Sequence, residues 1–216
     1  MTDISAALGP AKKTKTAQNR PLGLFGGRFD PVHRAHIKIA QAVADQLKLD
    51  EIRWIVTGDP VHKPAVASSH HRLAMVQLAL EALNDQRMRV DDREIIAAQH
   101  GAKNYSADTV KTYQTEFPNR SLILILGADQ LQDFPTWSRW QWLIENVELA
   151  VCSRPGTKSS TAAKLIESLG GVIHWVFVEP DDISSTEIRK QIRFGHLSAN
   201  LLPKSIEHYI QKNRIY

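Results

Sequence analysis

The sequence predicts one α/β domain built around a parallel sheet. Its 216 residues suit a single domain with a short appendage, because α/β domains commonly run to about 250 residues. Hydrophobic residues make up 43% and charged residues 23% of the chain, which excludes disordered, collagen-like and disulfide-scaffold proteins. From Leu22 onward, short apolar runs alternate with amphipathic stretches, which is typical of β-α-β units.

The elements follow from the spacing of apolar residues. Strands are predicted over residues 22–25, 52–57, 122–126, 149–152 and 172–178. Two helices are predicted from apolar residues spaced three and four apart, at Ile37, Ala40, Ala44 and Leu47 and at Leu73, Val76, Leu80 and Leu83. Further helices are expected over 106–117, 137–145, 161–169, 186–194 and after Pro203. Residues 58–69, with two prolines, predict a long and functional loop.

Charge and cysteine content predict which partners the protein binds and in which compartment it lies. Residues 1–21 carry a net charge of +3 out of the +4 of the whole chain, so 22–216 is a nearly neutral domain behind a disordered basic tail. This distribution argues against nucleic acid as a partner. We expect no membrane association, because no apolar run approaches the ~18 residues that span a bilayer. No export signal is visible, and the single cysteine, Cys152, indicates a reducing compartment, most simply the cytoplasm.

The most informative stretch is residues 26–36, GGRFDPVHRAH, between the first strand and the first helix. Open α/β sheets bind ligands at this edge. The paired glycines let a ligand approach the backbone, and a helix start offers unpaired N–H groups to phosphate. His33 and His36 fall on one face of the helix start, where both can reach the same phosphate.

Other interpretations of this stretch stay open. A Gly-Gly pair after a strand is often only a turn. His33 and His36 could bind a metal, although zinc helices usually space their histidines four apart and need a third ligand, for which Asp30 is the only nearby candidate. The glycine spacings of the dinucleotide fingerprint and of the P-loop are both absent.

A second signal lies at residues 183–189, ISSTEIR. Ser184 with Glu187 three residues later forms a capping box, which predicts a helix start with free N–H groups at Ser185 and Thr186. Arg189, one turn further on, could hold phosphate oxygens. The plain alternative is a well-capped helix with a solvated arginine.

These two stretches resemble the GGxFDPxHxGH and ISSTxIR signatures of the nucleotidylyltransferase superfamily. Other segments resemble its bacterial nicotinate-nucleotide adenylyltransferases: His62-Lys63, the stretch 104–109 (NYSADT), 127–131 (GADQL) running into 134–137 (FPTW), and 152–156 (CSRPG). The resemblance covers residues 22–216 in the family's order. It implies a Rossmann-like, doubly wound parallel sheet in a single domain with a small C-terminal helical portion.

The resemblance also implies a reaction, in which ATP and nicotinate mononucleotide give nicotinate adenine dinucleotide and pyrophosphate. The implied catalytic residues are His33, His36, Lys63 and Arg189. The ATP-binding set is Gly26, Gly27, Phe29, Asp30, His33, His36, Asp129, Ser185 and Arg189. Nicotinate mononucleotide would be bound by Tyr105, Ser106, Thr109, Trp137 and Arg154. Mg²⁺ is expected to be held mainly by ATP oxygens, with no protein metal site.

Two departures from the family pattern are visible. Ala35 stands where the family usually has glycine, and residues 58–61 (GDPV) replace a proline- and asparagine-rich approach to His62.

Two alternative functions stay open: a sister adenylyltransferase acting on another phosphorylated acceptor, and a non-catalytic nucleotide or RNA binder. The oligomeric state, including a homo-oligomer, is left open by the sequence.

Overall fold

A computed structural model describes residues 20–58, 65–153, 160–179, 181, 183–196 and 200–216. Within them, six parallel strands form one sheet in the order β3-β2-β1-β4-β5-β6. The strands are β1 (Leu22–Gly27), β2 (Ile52–Val56), β3 (Met88–Asp91), β4 (Leu122–Gly127), β5 (Glu148–Ser153) and β6 (Ile173–Phe177). The predicted α/β fold with a doubly wound parallel sheet is therefore confirmed.

The helices of the described residues cover both faces of the sheet. They are α1 (Arg34–Gln46), α2 (Ser69–Leu83), α3 (Arg93–Gln99), α4 (Ser106–Glu116), α5 (Ala128–Asp133), α6 (Trp140–Asn146), α7 (Thr161–Ser168), α8 (Ser185–Arg193) and α9 (Lys204–Asn213). One core contains buried side chains of α1, α2, α8 and α9, and the other those of α4, α5, α6 and α7. The two cores lie on opposite faces, as a doubly wound sheet requires. No helix in the described part of the chain is long and apolar enough to cross a membrane.

The strand predictions hold except at one edge of the sheet. β3 was not predicted, because a four-residue strand whose Arg89 is exposed offers too short an apolar pattern to recognise. The seven residues of α3, which follow β3 directly, were missed for the same reason. In α2 the fully buried apolar positions are Met75, Val76 and Ala79, while the predicted leucines are only partly buried.

The predicted helix 137–145 is wrong at its start. A 3-10 helix spans Phe134–Thr136, with Pro135 near its beginning, and Trp137 leaves it in an extended conformation. The α-helix begins only at Trp140, after Arg139 with a positive φ of 58°. Trp137 therefore stands on a connection between helices rather than on a helix face.

Candidate active site

The glycine-rich turn of residues 26–31 lies at the carboxyl end of β1, where the strand order reverses. A Cβ at Gly27 would lie 2.9 Å from the ring of Phe29, so glycine is needed for the ring to pack there. A Cβ at Gly26 would meet no atom within 4 Å, so the backbone of Gly26 borders open space. In open α/β sheets this edge is the usual position of a ligand.

The two histidines meet at the first turn of α1. His33 is the N-cap residue, and the ring centroids of His33 and His36 lie 3.8 Å apart. The backbone N–H of His33 donates to Nδ1 of His36 at 3.2 Å. A ring nitrogen that accepts a hydrogen bond carries no proton, so neutral His36 holds its proton on Nε2. Phe29, which is 2% exposed, packs edge-on against His36 with a centroid distance of 5.2 Å and supports the imidazole.

Both imidazoles are neutral at pH 7. Burial lowers the pKa of His33 to about 4, although the nearby Asp181 carboxylate opposes the shift. Burial also lowers the pKa of His36 well below its usual range, and proximity to His33 lowers it further. Nδ1 of His33 is buried with no hydrogen-bond partner among the described residues. An unpaired buried polar atom is unfavourable by about 1–3 kcal/mol, so this nitrogen is an unsatisfied group at the start of α1.

The start of α8 lies against the glycine-rich turn. Ser184 accepts a hydrogen bond from the N–H of Glu187 at 3.2 Å, which is the N-cap half of the predicted capping box. The Ser185 hydroxyl donates to the Pro31 carbonyl at 3.0 Å, and Nη1 of Arg189 donates to the Asp30 carbonyl at 2.7 Å. The two predicted anion-binding helix starts, separated by about 150 residues in the sequence, thus lie side by side.

Asp30, predicted to bind ATP, has its carboxylate inside the protein. Its side chain is 2% exposed and accepts hydrogen bonds from the N–H groups of Val66 and Ala67 and from the hydroxyl of Tyr216. A direct contact of Asp30 with a ligand would therefore have to come from its backbone. These partners lie 36 to 186 residues away in the chain, and no local pattern indicates them.

A cavity of about 440 Å³, here called the Trp137 cavity, opens beside the glycine-rich turn. Among its lining residues are Gly26, Arg28, Tyr105, Ser106 and Trp137. Tyr105 is the N-cap residue of α4 and provides no side-chain cap. Within the described part of the chain, the N–H groups of Ser106 and Ala107 have no acceptor. The α4 start can therefore receive a carboxylate inside the cavity.

Thr109 lies in a second layer, behind the wall of this cavity, and contacts Glu94 in the wall. The Thr109 hydroxyl donates to Glu94 at 2.6 Å, and Thr109 is not among the residues that line the cavity. Glu94 does line it, and burial raises the pKa of its carboxyl, against the opposing effect of hydrogen bonds from Thr109 and Thr57. Sequence analysis missed Glu94, because an acidic residue in a first helical turn usually signals only helix stability.

A second cavity, of about 390 Å³ and here called the Asp129 cavity, lies at the carboxyl ends of β4 and β5. Its wall includes Ala35, Lys38, Asp129, Ser153 and Asp181. Lys38 pairs with Asp181 at 2.8 Å, and Arg34 pairs with the same carboxylate at 3.0 Å. The Ser153 hydroxyl is buried without a partner among the described residues. Polar groups and the side chain of Ala35 therefore share this wall.

Two predicted site residues, Lys63 and Arg154, lie outside the described residues. Cys152 is a buried strand residue, as expected, and burial raises the pKa of its thiol to about 12. In the described part of the chain, no group of three or more His, Cys, Asp or Glu side chains is arranged to hold a metal ion.

Comparison with known proteins identifies relatives along almost the whole chain. Residues 24–191 match the model of the cytidylyltransferase-like family. The chain is 36% identical over 204 residues to a probable nicotinate-nucleotide adenylyltransferase of Neisseria meningitidis serogroup B, covering 91% of this chain and 98% of the relative. It is 35% identical over 200 residues to a probable nicotinate-nucleotide adenylyltransferase of Bordetella petrii, covering 90% and 98%.

Solved structures support the fold. The nicotinic acid mononucleotide adenylyltransferase of Plasmodium falciparum, solved in complex with NaAD, superposes with a TM-score of 0.75 at 21% identity, over 91% of this chain and 97% of the other. The same protein in complex with APC gives a TM-score of 0.74 at 20% identity, over 92% and 97%.

Proposed function

The chain belongs to the cytidylyltransferase-like family and, within it, to the nicotinate-nucleotide adenylyltransferases, and on this premise we propose that it adenylylates nicotinate mononucleotide with ATP. The products are nicotinate adenine dinucleotide and pyrophosphate, so the reaction belongs to NAD biosynthesis. The observation that carries the proposal is the pair of cavities near the carboxyl ends of the strands, one beside the glycine-rich turn and one beside the first turns of α1 and α5, each with polar groups suited to one substrate.

The reaction needs alignment and charge stabilisation rather than a general base. A phosphate oxygen of nicotinate mononucleotide attacks the α-phosphorus of ATP, a new P–O bond forms, and the bond to the β-phosphate oxygen breaks. The attacking phosphate is already largely ionised at pH 7, because the second pKa of a phosphomonoester is about 6. The departing pyrophosphate carries away the electron pair of the broken bond. The task of the protein is therefore to hold both phosphates in line.

We assign His36 to the α-phosphate. Its Nδ1 is occupied by the His33 N–H, which leaves the Nε2–H as a donor of fixed orientation. Because the imidazole is neutral, it stabilises charge on the transferring group through a hydrogen bond instead of an ion pair. His33, whose ring lies against that of His36 with a centroid distance of 3.8 Å, is assigned to the ATP phosphates beside it.

At the ATP end, the backbone of Gly26 and Gly27 and the start of α8 face the phosphates. Arg189 and Ser185 are fixed to the turn by hydrogen bonds to Asp30 and Pro31, so their remaining polar groups can hold the departing pyrophosphate. Asp129, which is exposed on the wall of its cavity, is assigned to nucleotide hydroxyls. Phe29 and Asp30 support the site from within.

At the acceptor end, Trp137 provides a flat surface for the pyridine ring. The N–H groups at the start of α4, next to Tyr105, receive the nicotinate carboxylate through charge-assisted hydrogen bonds. Thr109 acts from the second layer, through Glu94. Nicotinamide would present an NH₂ donor to the same N–H donors, so the acid is the preferred substrate.

The other parts of the proposal rest on the sequence. Lys63 and Arg154 are assigned to substrate phosphates by their place in the family pattern. Mg²⁺ enters with ATP and is held mainly by phosphate oxygens and water, since it keeps several waters and takes few protein ligands. When bound, it neutralises phosphate charge. We further propose a cytoplasmic location, substrates that are small molecules, and a tail over residues 1–21 outside the catalytic domain.

The direct test is pyrophosphate release from ATP and Mg²⁺ with a panel of acceptors. The panel contains nicotinate mononucleotide, nicotinamide mononucleotide, phosphopantetheine and no acceptor. We expect release with nicotinate mononucleotide, and a preference over the amide of more than about tenfold in kcat/KM, from one unpaired donor. Release only with phosphopantetheine would identify a sister enzyme. No release with any acceptor, together with salt-sensitive RNA binding, would overturn the proposal in favour of a nucleic-acid binder.

A further inference from the structure

Arg72 is a buried arginine, and its three hydrogen bonds within the described residues all go to backbone carbonyls. It lies in the first turn of α2 and is 1% exposed. Its Nε donates to Ala67 at 3.2 Å, Nη1 to Arg28 at 2.8 Å and Nη2 to Gly58 at 3.2 Å. One guanidinium therefore ties the glycine-rich turn, at Arg28, to both ends of the segment between Gly58 and Ala67, whose sequence contains Lys63.

The Asp30 carboxylate completes this attachment as a hydrogen-bond acceptor, whereas Arg72 is a donor. Oδ2 accepts the N–H of Val66 at 2.7 Å, while Oδ1 accepts the N–H of Ala67 at 3.1 Å and the hydroxyl of Tyr216 at 2.7 Å. Ala67 thus gives its carbonyl to Arg72 and its N–H to Asp30. Three separate parts of the chain, the turn, the start of α2 and the segment after α9, are joined at one buried point.

Such a network is not explained by stability alone. Removing a guanidinium and a carboxylate from water is unfavourable, and apolar side chains of similar size often stabilise a protein as well or better. Polar groups that are fully hydrogen-bonded instead fix one geometry. Here the fixed element is the glycine-rich turn. The turn contains the Asp30 carbonyl, which accepts a hydrogen bond from Arg189, and His33 follows it directly in the chain.

We infer that Arg72 and Tyr216 are positioning residues for adenylyl transfer, acting through the Arg28 carbonyl and the Asp30 carboxylate to hold the glycine-rich turn in register with the ATP phosphates. This inference rests on the proposed function. Neither side chain needs to touch a substrate. Their effect is on how well the turn, His36 and Arg189 are aligned before the phosphates arrive.

The test uses two variants, each with a matched control. Arg72→Lys keeps the charge but cannot span three carbonyls, and Tyr216→Phe removes only the hydroxyl from Asp30. Arg120→Lys is the control for Arg72→Lys, because Arg120 is also largely buried. It donates to the carbonyls of Arg20 and Pro21, which precede β1, and to the side chain of Glu51, which precedes β2. Tyr209→Phe is the control for the second, since its hydroxyl bonds His71 at 3.0 Å.

All variants are measured at a temperature well below their own unfolding midpoints, by pyrophosphate release with ATP and nicotinate mononucleotide. We expect kcat/KM for ATP to fall about 30- to 100-fold in Arg72→Lys and about three- to tenfold in Tyr216→Phe, because small misalignments are costly in transfer reactions. The KM for nicotinate mononucleotide should change less than kcat, since the network makes no hydrogen bond to Trp137 or the α4 start. Both controls should lose stability only.

A purely structural role predicts a different result. If Arg72→Lys and Tyr216→Phe unfold earlier than the wild type but keep its kcat/KM, as the controls do, the inference is wrong. If Arg72→Lys does not fold, Tyr216→Phe against Tyr209→Phe decides the question. A wild-type protein that releases no pyrophosphate would overturn the proposed function itself, and the inference with it.

Discussion

Replacing His36 by asparagine and by glutamine separates the two contacts that its imidazole makes. Nδ1 accepts the N–H of His33 at 3.2 Å, and the Nε2–H is the donor that we assign to the α-phosphate. The amide of asparagine reaches about as far as Nδ1, whereas the amide of glutamine reaches the position of Nε2. His36→Asn therefore keeps the contact within α1 and loses the donor, and His36→Gln does the reverse.

The expected magnitudes differ for the two contacts. Loss of one preorganised donor to a transition state costs about 2.7–4 kcal/mol, or about 10²- to 10³-fold in turnover. Loss of a contact that satisfies an N–H at a helix start costs about 1 kcal/mol of stability. We expect His36→Asn to lower kcat about 10²-fold with little change in the unfolding midpoint. His36→Gln should keep most of the turnover and lose about 1 kcal/mol of stability, and His36→Ala should show both losses.

The assay is pyrophosphate release at saturating ATP and nicotinate mononucleotide, together with thermal unfolding of each variant. Wild-type turnover in His36→Asn would refute the assignment of the Nε2–H to the α-phosphate. Loss of activity together with loss of a stoichiometric metal ion would instead support a metal site at His33 and His36.

Three further predictions use the same assays. Trp137→Ala should raise the KM of both mononucleotides, because loss of a stacking surface costs about 1–3 kcal/mol, and should leave the acid-over-amide ratio unchanged; a collapsed ratio would place the carboxylate contact at Trp137. The free energy of unfolding should fall as pH drops from about 6.5 to about 4, because His33 binds a proton in the unfolded chain over this range but not in the folded one. His33 contributes at most about 3 kcal/mol to this change, and His33→Gln should remove that contribution. Burial also lowers the pKa of His36, so part of the slope should remain in His33→Gln. A slope unchanged from that of the wild type would assign the whole effect to other groups. A chain that begins at Arg20 should keep full kcat, because it keeps the hydrogen bonds from Arg120 to Arg20 and Pro21. A large loss of turnover with an intact fold would instead give the tail a role in catalysis.

The sequence predicted those parts of the site that depend on local pattern. The glycine pair after β1, the histidines at the start of α1 and the N-cap Ser184 each follow from residues within one turn of each other. Parallel strands place their carboxyl ends at one edge, so the fold then brings these starts together. The resemblance to the nucleotidylyltransferase signatures is what grouped Arg189 with His33 and His36 in one predicted site.

What the sequence could not predict depends on long-range partners or on backbone detail. Asp30 is predicted to bind ATP, and no local pattern indicates that its carboxylate is held by Val66, Ala67 and Tyr216. Glu94 and Arg72 carry no local signal, since each is a charged residue in the first turn of a helix and would ordinarily face water. Trp137 was placed on a helix because apolar spacing does not reveal that the 3-10 helix at Pro135 ends before it.

The electrostatics of the site depend on which of its polar groups are buried. Two imidazoles with centroids 3.8 Å apart would repel each other if both were protonated, and burial keeps both neutral. Formal positive charge at the turn comes from arginines instead, and one nitrogen of Arg189 is fixed on the Asp30 carbonyl. Neutral donors bind a charged ground state less strongly than cations do, while they still stabilise charge that develops as the α-phosphate is transferred. A buried network that fixes the turn therefore serves catalysis more directly than an additional cation would, because a hydrogen-bond donor is effective only when its position is set in advance.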